Sequence, residues 1–266
     1  RMEFTERQWL ELGQHAKDKN ITFLSTAFSI KAVEVLSEIG MPAWKIGSGE
    51  IESYDLVSAM CDTGKPILIS TGLCDFKILD KLINLIKNKG NDFCIFQCTT
   101  KYPSSYEEIG LNVIDELKHR YDCPAGLSDH SGSIFSSITS MAKGANIIEA
   151  HITFNKSMFG PDTKASLNKE DFQLLIEARN AIHLMEKNPI DKNIITNEMK
   201  SMRNMFGKSA ALKMNMEKGT ILTRDMLTSK KPSTGIPEKD IDLLVGKKIN
   251  KDICSNQLLK WTDLDE

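Results

Sequence analysis

The sequence predicts an α/β protein organised around a parallel sheet, and two patterns support this prediction. Apolar, strand-like runs recur along the first part of the chain, and a helix-like stretch lies between each pair. The runs begin near Ile21, Ala43, Lys65, Asp92, Cys123 and Ala145. Strands that alternate with helices form parallel sheets, because each helix carries the chain back to start the next strand in the same direction.

The predicted helices have recognisable start signals. Thr5 caps an amphipathic helix from Glu6 to about Lys19, and Asn168 caps another over 168–187. The helix-like stretches between the runs span 31–39, 53–63, 75–89, 108–120 and 132–143. This alternation fits either an open doubly wound sheet or a closed (β/α)8 barrel. The first run is not followed by a G-x-G-x-x-G motif, so a dinucleotide-binding fold has no positive signal.

Composition restricts the class of protein. The chain has 266 residues, 41% of them hydrophobic, which is enough for one large core or for one large and one small. A formal net charge of −2 does not favour a nucleic-acid-binding surface. We expect no membrane association, because no apolar run reaches the roughly 18 residues of a membrane span. The six cysteines form no C-x-x-C pair, so we expect reduced thiols in a cytoplasmic protein.

Polar residues collect where four successive runs end. The ends read Ser25-Thr26, Lys45-Ile46-Gly47-Ser48-Gly49-Glu50, Ser70-Thr71-Gly72 and Thr99-Thr100-Lys101-Tyr102. In a barrel the carboxyl ends of the strands form one face, which is where active sites lie. Small hydroxyl side chains and glycine N–H groups can donate several hydrogen bonds to a phosphate without crowding it. Any one of these pairs alone is more typical of a turn.

Two histidines at the ends of neighbouring strands form a candidate metal site. Side chains alternate along a strand, so Ser128 and His130 share one face, as do Glu149 and His151. Two imidazoles at the tips of adjacent parallel strands could bind one divalent metal ion. The alternative is a pair of structural histidines in the core or at its rim.

The C-terminal part of the chain has a different sequence pattern. Residues 1–187 are assigned to the barrel domain, and residues 188–208 are polar and are interpreted as a linker. Residues 209–266 alternate short apolar runs with turns, which predicts a small second domain. Its basic pairs, Lys230-Lys231 and Lys247-Lys248, are most simply a solvated surface.

Taken together, these motifs resemble the sialic acid synthase family, which includes N-acetylneuraminate synthase and its legionaminate and pseudaminate relatives. The matching segments are Lys45-Ile46-Gly47-Ser48-Gly49-Glu50, Ser70-Thr71-Gly72, Gln97-Cys98-Thr99, Tyr102-Pro103, Ser128-Asp129-His130, Glu149-x-His151 and Gly160-Pro161-Asp162. The run from Lys218 to Leu227 resembles the family's antifreeze-like (SAF) domain, a β-clip. The resemblance implies a (β/α)8 TIM barrel followed by that domain. It also leads us to expect that the family's first strand, first helix and second strand would precede this sequence.

The resemblance further implies an activity and a set of roles. The family condenses phosphoenolpyruvate with an N-acetylated amino sugar aldehyde, such as N-acetylmannosamine, and releases phosphate. It also implies a domain-swapped homodimer and a divalent metal, most often Mn²⁺, with Mg²⁺ or Co²⁺ as alternatives. His130 and His151 would bind the metal and would be catalytic together with Lys45 and Glu50. The substrate-binding residues would be Thr26, Ser48, Ser70, Thr100, Tyr102, Ser128, Asp162 and Lys231.

Departures from the family pattern and competing interpretations remain open at this point. Ala150 and Ala27 replace a usual basic residue and a usual proline, and Lys231 replaces an arginine that reaches the sugar from the partner subunit. Lys45 could instead pair with a carboxylate, and Glu50 could cap a helix. Asp162 could be a turn residue and Tyr102 a packing residue. A non-catalytic sugar-binding protein with a degenerate barrel is the alternative function, and a different phosphoenolpyruvate-dependent barrel enzyme is a third.

Overall fold

Six parallel strands in the described part of the chain pair in the order of the sequence. The computed structural model describes residues 4–265. The expectation that the family's first strand, first helix and second strand precede this sequence lies outside the described residues. The strands are β1 (Trp44–Ile46), β2 (Ile67–Ser70), β3 (Phe93–Cys98), β4 (Ala125–Asp129), β5 (Ile148–Ile152) and β6 (Ser166–Leu167). Sequential parallel pairing with a helix in the crossovers is the topology of a (β/α)8 barrel. The sheet is therefore a curled, half-barrel part of such a fold.

Among the described residues of this first unit, which extends to Asn188, there are seven α-helices. They are α1 (Glu6–Asp18), α2 (Ile30–Ile39), α3 (Tyr54–Asp62), α4 (Phe76–Lys89), α5 (Leu111–Tyr121), α6 (Ile134–Ala142) and α7 (Lys169–Lys187). The predicted caps are present, since Thr5 accepts a hydrogen bond from the Gln8 N–H and Asn168 accepts one from the Asp171 N–H. Helix α5 begins later than predicted because Gly110, at φ 68°, separates it from a preceding 3-10 turn.

The core lies between the sheet and these helices. Helix α4 shows how the sequence pattern builds it: Leu79, Leu82, Ile83 and Ile86 recur at helical spacing and are all buried. They pack in the same cluster as strand residues such as Ile67. Each fully buried aliphatic side chain stabilises the fold by about 1.5–3 kcal/mol. This layer holds the strand ends in place.

Two strand predictions differ from the structure. The run that begins at Ile21 joins the sheet through one isolated bridge, Thr26 to Lys45, and forms no regular strand. Strand β6 was not predicted, because two residues are too few to show an alternating pattern. Thr26 still lies beside β1, so its predicted place at the strand ends is unaffected.

The second unit begins at Pro189. It contains helix α8 (Asn197–Phe206) and an antiparallel pair of strands, β7 (Ser209–Leu212) and β8 (Leu227–Lys230). Several isolated bridges and 3-10 turns complete it around its own core. The segment 188–208, interpreted as a linker, thus includes a helix, which Thr196 caps. Across residues 4–265, no helix is both long and apolar enough to cross a membrane.

Candidate active site

A cavity of about 490 Å³ lies at the carboxyl ends of the strands in the first unit. Nine of the twelve predicted site residues line it: Thr26, Lys45, Ser48, Ser70, Thr100, Tyr102, Ser128, His130 and His151. They come from six strands or strand-end segments that are separated in the sequence. The parallel topology brings them together because every strand ends at the same edge of the sheet.

Lys45 is the buried cation of this cavity. Its residue exposure is 8%, and its Nζ donates a hydrogen bond of 2.7 Å to Ser70 Oγ. The same Nζ lies 3.4 Å from Glu149 Oε2, while Ser128 Oγ donates to Glu149 Oε1 over 3.0 Å. Lys45 therefore both faces the cavity and pairs with a carboxylate. These are the two interpretations that the sequence left open.

Three side chains converge on Gly72. The Gly72 N–H donates to Ser48 Oγ at 2.9 Å. A Cβ at this glycine would overlap Thr100 Oγ1 and would lie 3.0 Å from both Ser48 Oγ and Cys98 Sγ. Glycine is needed here so that the hydroxyl groups can approach one another. Hydroxyls gathered in this way can donate to the oxygens of one anion.

His130 is fixed from three sides by the segment that follows β3. Its Nδ1 is 2.9 Å from the Thr99 carbonyl oxygen, and its own carbonyl accepts from the Ser104 N–H at 3.0 Å. The Tyr102 ring stacks on it with centroids 4.2 Å apart. Because the carbonyl is an acceptor, Nδ1 carries the proton and Nε2 keeps a lone pair. Burial lowers the pKa of His130, which favours this neutral form.

His151 completes the pair. Its ring centroid is 5.2 Å from that of His130, with the rings at 85° to each other. Its Nδ1 is 3.7 Å from Asp162 Oδ2. Two close imidazoles, one with its Nε2 lone pair available, fit the donor set of a manganese-class divalent ion. No group of three His, Cys, Asp or Glu side chains in residues 4–265 is arranged to bind a metal, so the remaining positions would fall to water or substrate.

Three predicted residues do not line the cavity. Glu50 lies in a 3-10 turn, where its carboxylate accepts from Ser53 Oγ at 2.9 Å. Asp162 is near His151, in the segment between β5 and β6. Lys231 belongs to the second unit, where its Nζ lies 5.7 Å from the centre of the Phe206 ring.

The sequence analysis placed Glu149 on the same face as His151 and gave no role to Cys98 or Asp129. In the structure the Glu149 carboxylate contacts Ser128, with which it is paired in the parallel register, and Lys45 on the distant strand β1. Cys98 lines the cavity. The carboxylate of Asp129 is buried on the opposite face, where it accepts hydrogen bonds from hydroxyls at the start of α6. Strand alternation distinguishes these faces, but the sequence does not reveal the register between strands.

Comparison with known proteins supports the resemblance drawn from the motifs. The profile of the NeuB family matches residues 1–190, and that of the SAF domain matches residues 207–265. N,N'-diacetyllegionaminic acid synthase of Campylobacter jejuni is 33% identical over 253 residues, which are 94% of this chain and 75% of that protein. N-acetylneuraminate-9-phosphate synthase of Homo sapiens is 34% identical over 251 residues, covering 93% of this chain and 69% of that protein.

A solved structure agrees with these sequence matches. N-acetylneuraminic acid synthetase of Leptospira borgpetersenii superposes with a TM-score of 0.69 at 28% identity, over 75% of this chain and 70% of that one. The predicted barrel-plus-SAF architecture is thereby confirmed. With a family profile that matches most of its length, this chain belongs to the NeuB family.

Proposed function

We propose that this protein condenses phosphoenolpyruvate with an N-acetylated amino sugar aldehyde, giving a nonulosonic acid of the sialic acid type and phosphate. The observation that carries the proposal is a single cavity that combines a buried lysine, a group of hydroxyls and two histidines. Relatives named as legionaminic acid and N-acetylneuraminate-9-phosphate synthases support it. N-acetylmannosamine or a close relative is the proposed acceptor.

The anionic substrate would lie against the strand ends of β1 to β4. Lys45 and Thr26 would bind the carboxylate of phosphoenolpyruvate. The phosphate would accept hydrogen bonds from the hydroxyl side chains of the cavity, namely Ser48, Ser70, Thr100 and Ser128. A charge-assisted hydrogen bond from a buried lysine is stronger than a neutral one, so Lys45 would contribute most to holding this substrate.

The reaction joins carbon 3 of phosphoenolpyruvate to the aldehyde carbon of the sugar. Water then adds to carbon 2, and cleavage of the C–O bond in the resulting tetrahedral intermediate releases phosphate. In this proposal Tyr102, which lines the cavity, and Asp162, which lies beside His151, orient the sugar. An enzyme that holds two reactants in the geometry of the reaction can obtain a large part of its rate enhancement from this positioning alone.

His130 and His151 would bind the divalent metal, most simply Mn²⁺. When bound, this ion supplies a Lewis acid that polarises the sugar carbonyl. The hydrogen bond from Nδ1 to Thr99 keeps the His130 ring in the orientation and tautomer that a metal ligand requires. The remaining task of the side chains is to position the two substrates.

The decisive experiment is a phosphate-release assay. The protein is incubated with phosphoenolpyruvate, Mn²⁺ and a panel of amino sugars that includes N-acetylmannosamine and diacetamido sugars. We expect release of phosphate that depends on one of these sugars and on the metal. Binding of a sugar without any phosphate release would support the sugar-binding alternative instead.

A further inference from the structure

The cationic group of the cavity already has an anionic partner. Among the described residues that line the cavity, Lys45 is the single lysine or arginine. Its Nζ lies 3.4 Å from Glu149 Oε2, and the side chain of Lys45 is only 10% exposed. The other carboxylate oxygen, Oε1, accepts from Ser128 Oγ at 3.0 Å. Glu149 thus uses one charged and one neutral donor of the proposed anion site.

The curvature of the sheet makes this arrangement possible. Lys45 is on β1 and Glu149 is on β5, with three strands between them in the sheet. The two side chains meet because the sheet curls, so that both point into the same interior. Ser128 pairs in register with Glu149 on the neighbouring strand, which brings its hydroxyl beside the carboxylate. The contact is therefore set by the backbone and not by a mobile loop.

We propose that Glu149 is a built-in placeholder anion, which holds the donors of Lys45 and Ser128 until the anionic substrate takes them. The inference rests on the proposed function, because it assumes that Lys45 and Ser128 bind phosphoenolpyruvate. Without Glu149, the buried ammonium group would keep its neutral acceptors, Ser70 Oγ and the Ile46 carbonyl, but would have no anionic partner to compensate its charge. Glu149 compensates it in the free protein and has to release both donors when substrate enters.

Two consequences distinguish a placeholder from a carboxylate that only supports the fold. The substrate competes with Glu149 for the same hydrogen bonds, so part of its binding free energy is used to displace the carboxylate. A negative charge also remains close to an anionic ligand, and like charges at such distances repel. Both effects weaken anion binding in the wild-type protein. Neutralising Glu149 should therefore make anion binding tighter.

The test is Glu149→Gln, which keeps the shape of the side chain and its acceptor for Ser128 but removes the charge. Dissociation constants for phosphoenolpyruvate and for inorganic phosphate are measured by titration calorimetry on chelator-treated protein. We expect binding to tighten about five- to tenfold, equivalent to about 1 kcal/mol at 1.4 kcal/mol per factor of ten. Glu38→Gln is the matched control: it removes the same charge from the exposed surface of α2, and its affinities should equal those of the wild type.

A double-mutant cycle identifies the competing contact. In a Lys45→Ala background, Glu149→Gln should lose most of its gain, since there is no ammonium group left to release. A gain of the same size in both backgrounds would show general repulsion and overturn the placeholder. If Glu149→Gln does not fold, Glu149→Asp tests the same idea, because the shorter side chain withdraws the carboxylate from Lys45 and should tighten binding to a smaller degree.

The outcomes separate this inference from the proposed function. Equal or weaker anion binding by Glu149→Gln, with normal binding by the wild type, overturns the placeholder and leaves the proposed function standing. If the wild type binds phosphate but not phosphoenolpyruvate, the proposed function fails, and the phosphate affinities of the two proteins still decide the role of Glu149. Failure of both proteins to bind either anion overturns both.

Discussion

Replacing Lys45 with alanine should weaken binding of phosphoenolpyruvate much more than binding of the sugar. Lys45 is buried, and its Nζ has two partners in the cavity, Ser70 at 2.7 Å and Glu149 at 3.4 Å. A hydrogen bond to a charged group is worth about 1.5–3 kcal/mol, so affinity for phosphoenolpyruvate should fall by about ten- to 150-fold. The alanine variant also leaves the Glu149 carboxylate without its cation, next to the proposed binding site of the anionic substrate.

The same change should cost some stability. The side chain of Lys45 is 10% exposed and that of Glu149 is 38% exposed. The exposure of this ion pair is therefore intermediate between that of a surface pair and that of a fully buried pair. We therefore expect the free energy of unfolding to fall by about 1–2 kcal/mol. This loss leaves the fold intact, and it can be measured by urea denaturation before any kinetic comparison.

The assay is steady-state phosphate release, with each substrate varied in turn. Lys89→Ala is a suitable control, because Lys89 also pairs with a carboxylate, Asp62 at 2.6 Å, but at the surface. The control should keep both Michaelis constants. An unchanged Michaelis constant for phosphoenolpyruvate in Lys45→Ala would refute the assignment of Lys45 to this substrate.

Three other predictions follow from the site. His130→Ala and His151→Ala should each lower Mn²⁺-dependent turnover by about a hundredfold or more while the fold survives. A normal metal response in either variant, or full activity of the chelator-treated wild type, would mean that the histidines are structural. Gly72→Ala should lower kcat/KM for phosphoenolpyruvate by about tenfold or more, because its methyl group would displace the hydroxyls of the cavity, and unaltered kinetics would contradict this. If the SAF domain completes the site of a partner subunit, a mixture of Lys45→Ala protein and Lys231→Ala protein should be more active than either variant alone. A wild-type protein that is monomeric by sedimentation at the assay concentration would exclude such sharing of the site.

Regular elements with strong local signals could be predicted from the sequence alone. The buried stripe of α4 and the caps Thr5 and Asn168 are local patterns, and the helices they define are present. The residues at the strand ends were also predictable, because a parallel sheet brings all carboxyl ends to one edge. Nine of the twelve predicted site residues line one cavity for this reason.

What the sequence did not predict depends on contacts between distant segments. The stretch after Ile21 has the composition of a strand, but it forms one bridge only. Helix α8 was missed because the charged and amide residues of the segment led to its interpretation as a linker, although Thr196 provides a cap and Met199, Met202 and Met205 recur at helical spacing. The partner of Glu149 depends on the register between β4 and β5 and on the curl that brings β1 opposite, and neither can be read from a single strand.

The segment that follows β3 makes Tyr102 and His130 parts of one mechanical unit. Their rings are stacked, and the backbone on either side of Tyr102 is hydrogen-bonded to His130 through Thr99 and Ser104. A ligand that shifts the phenol ring therefore shifts the imidazole as well. Thermodynamic linkage makes such coupling reciprocal: whatever occupies the imidazole changes the affinity for whatever touches the phenol, by the same factor. A variant selected for a new sugar through Tyr102 would for this reason also have an altered metal requirement.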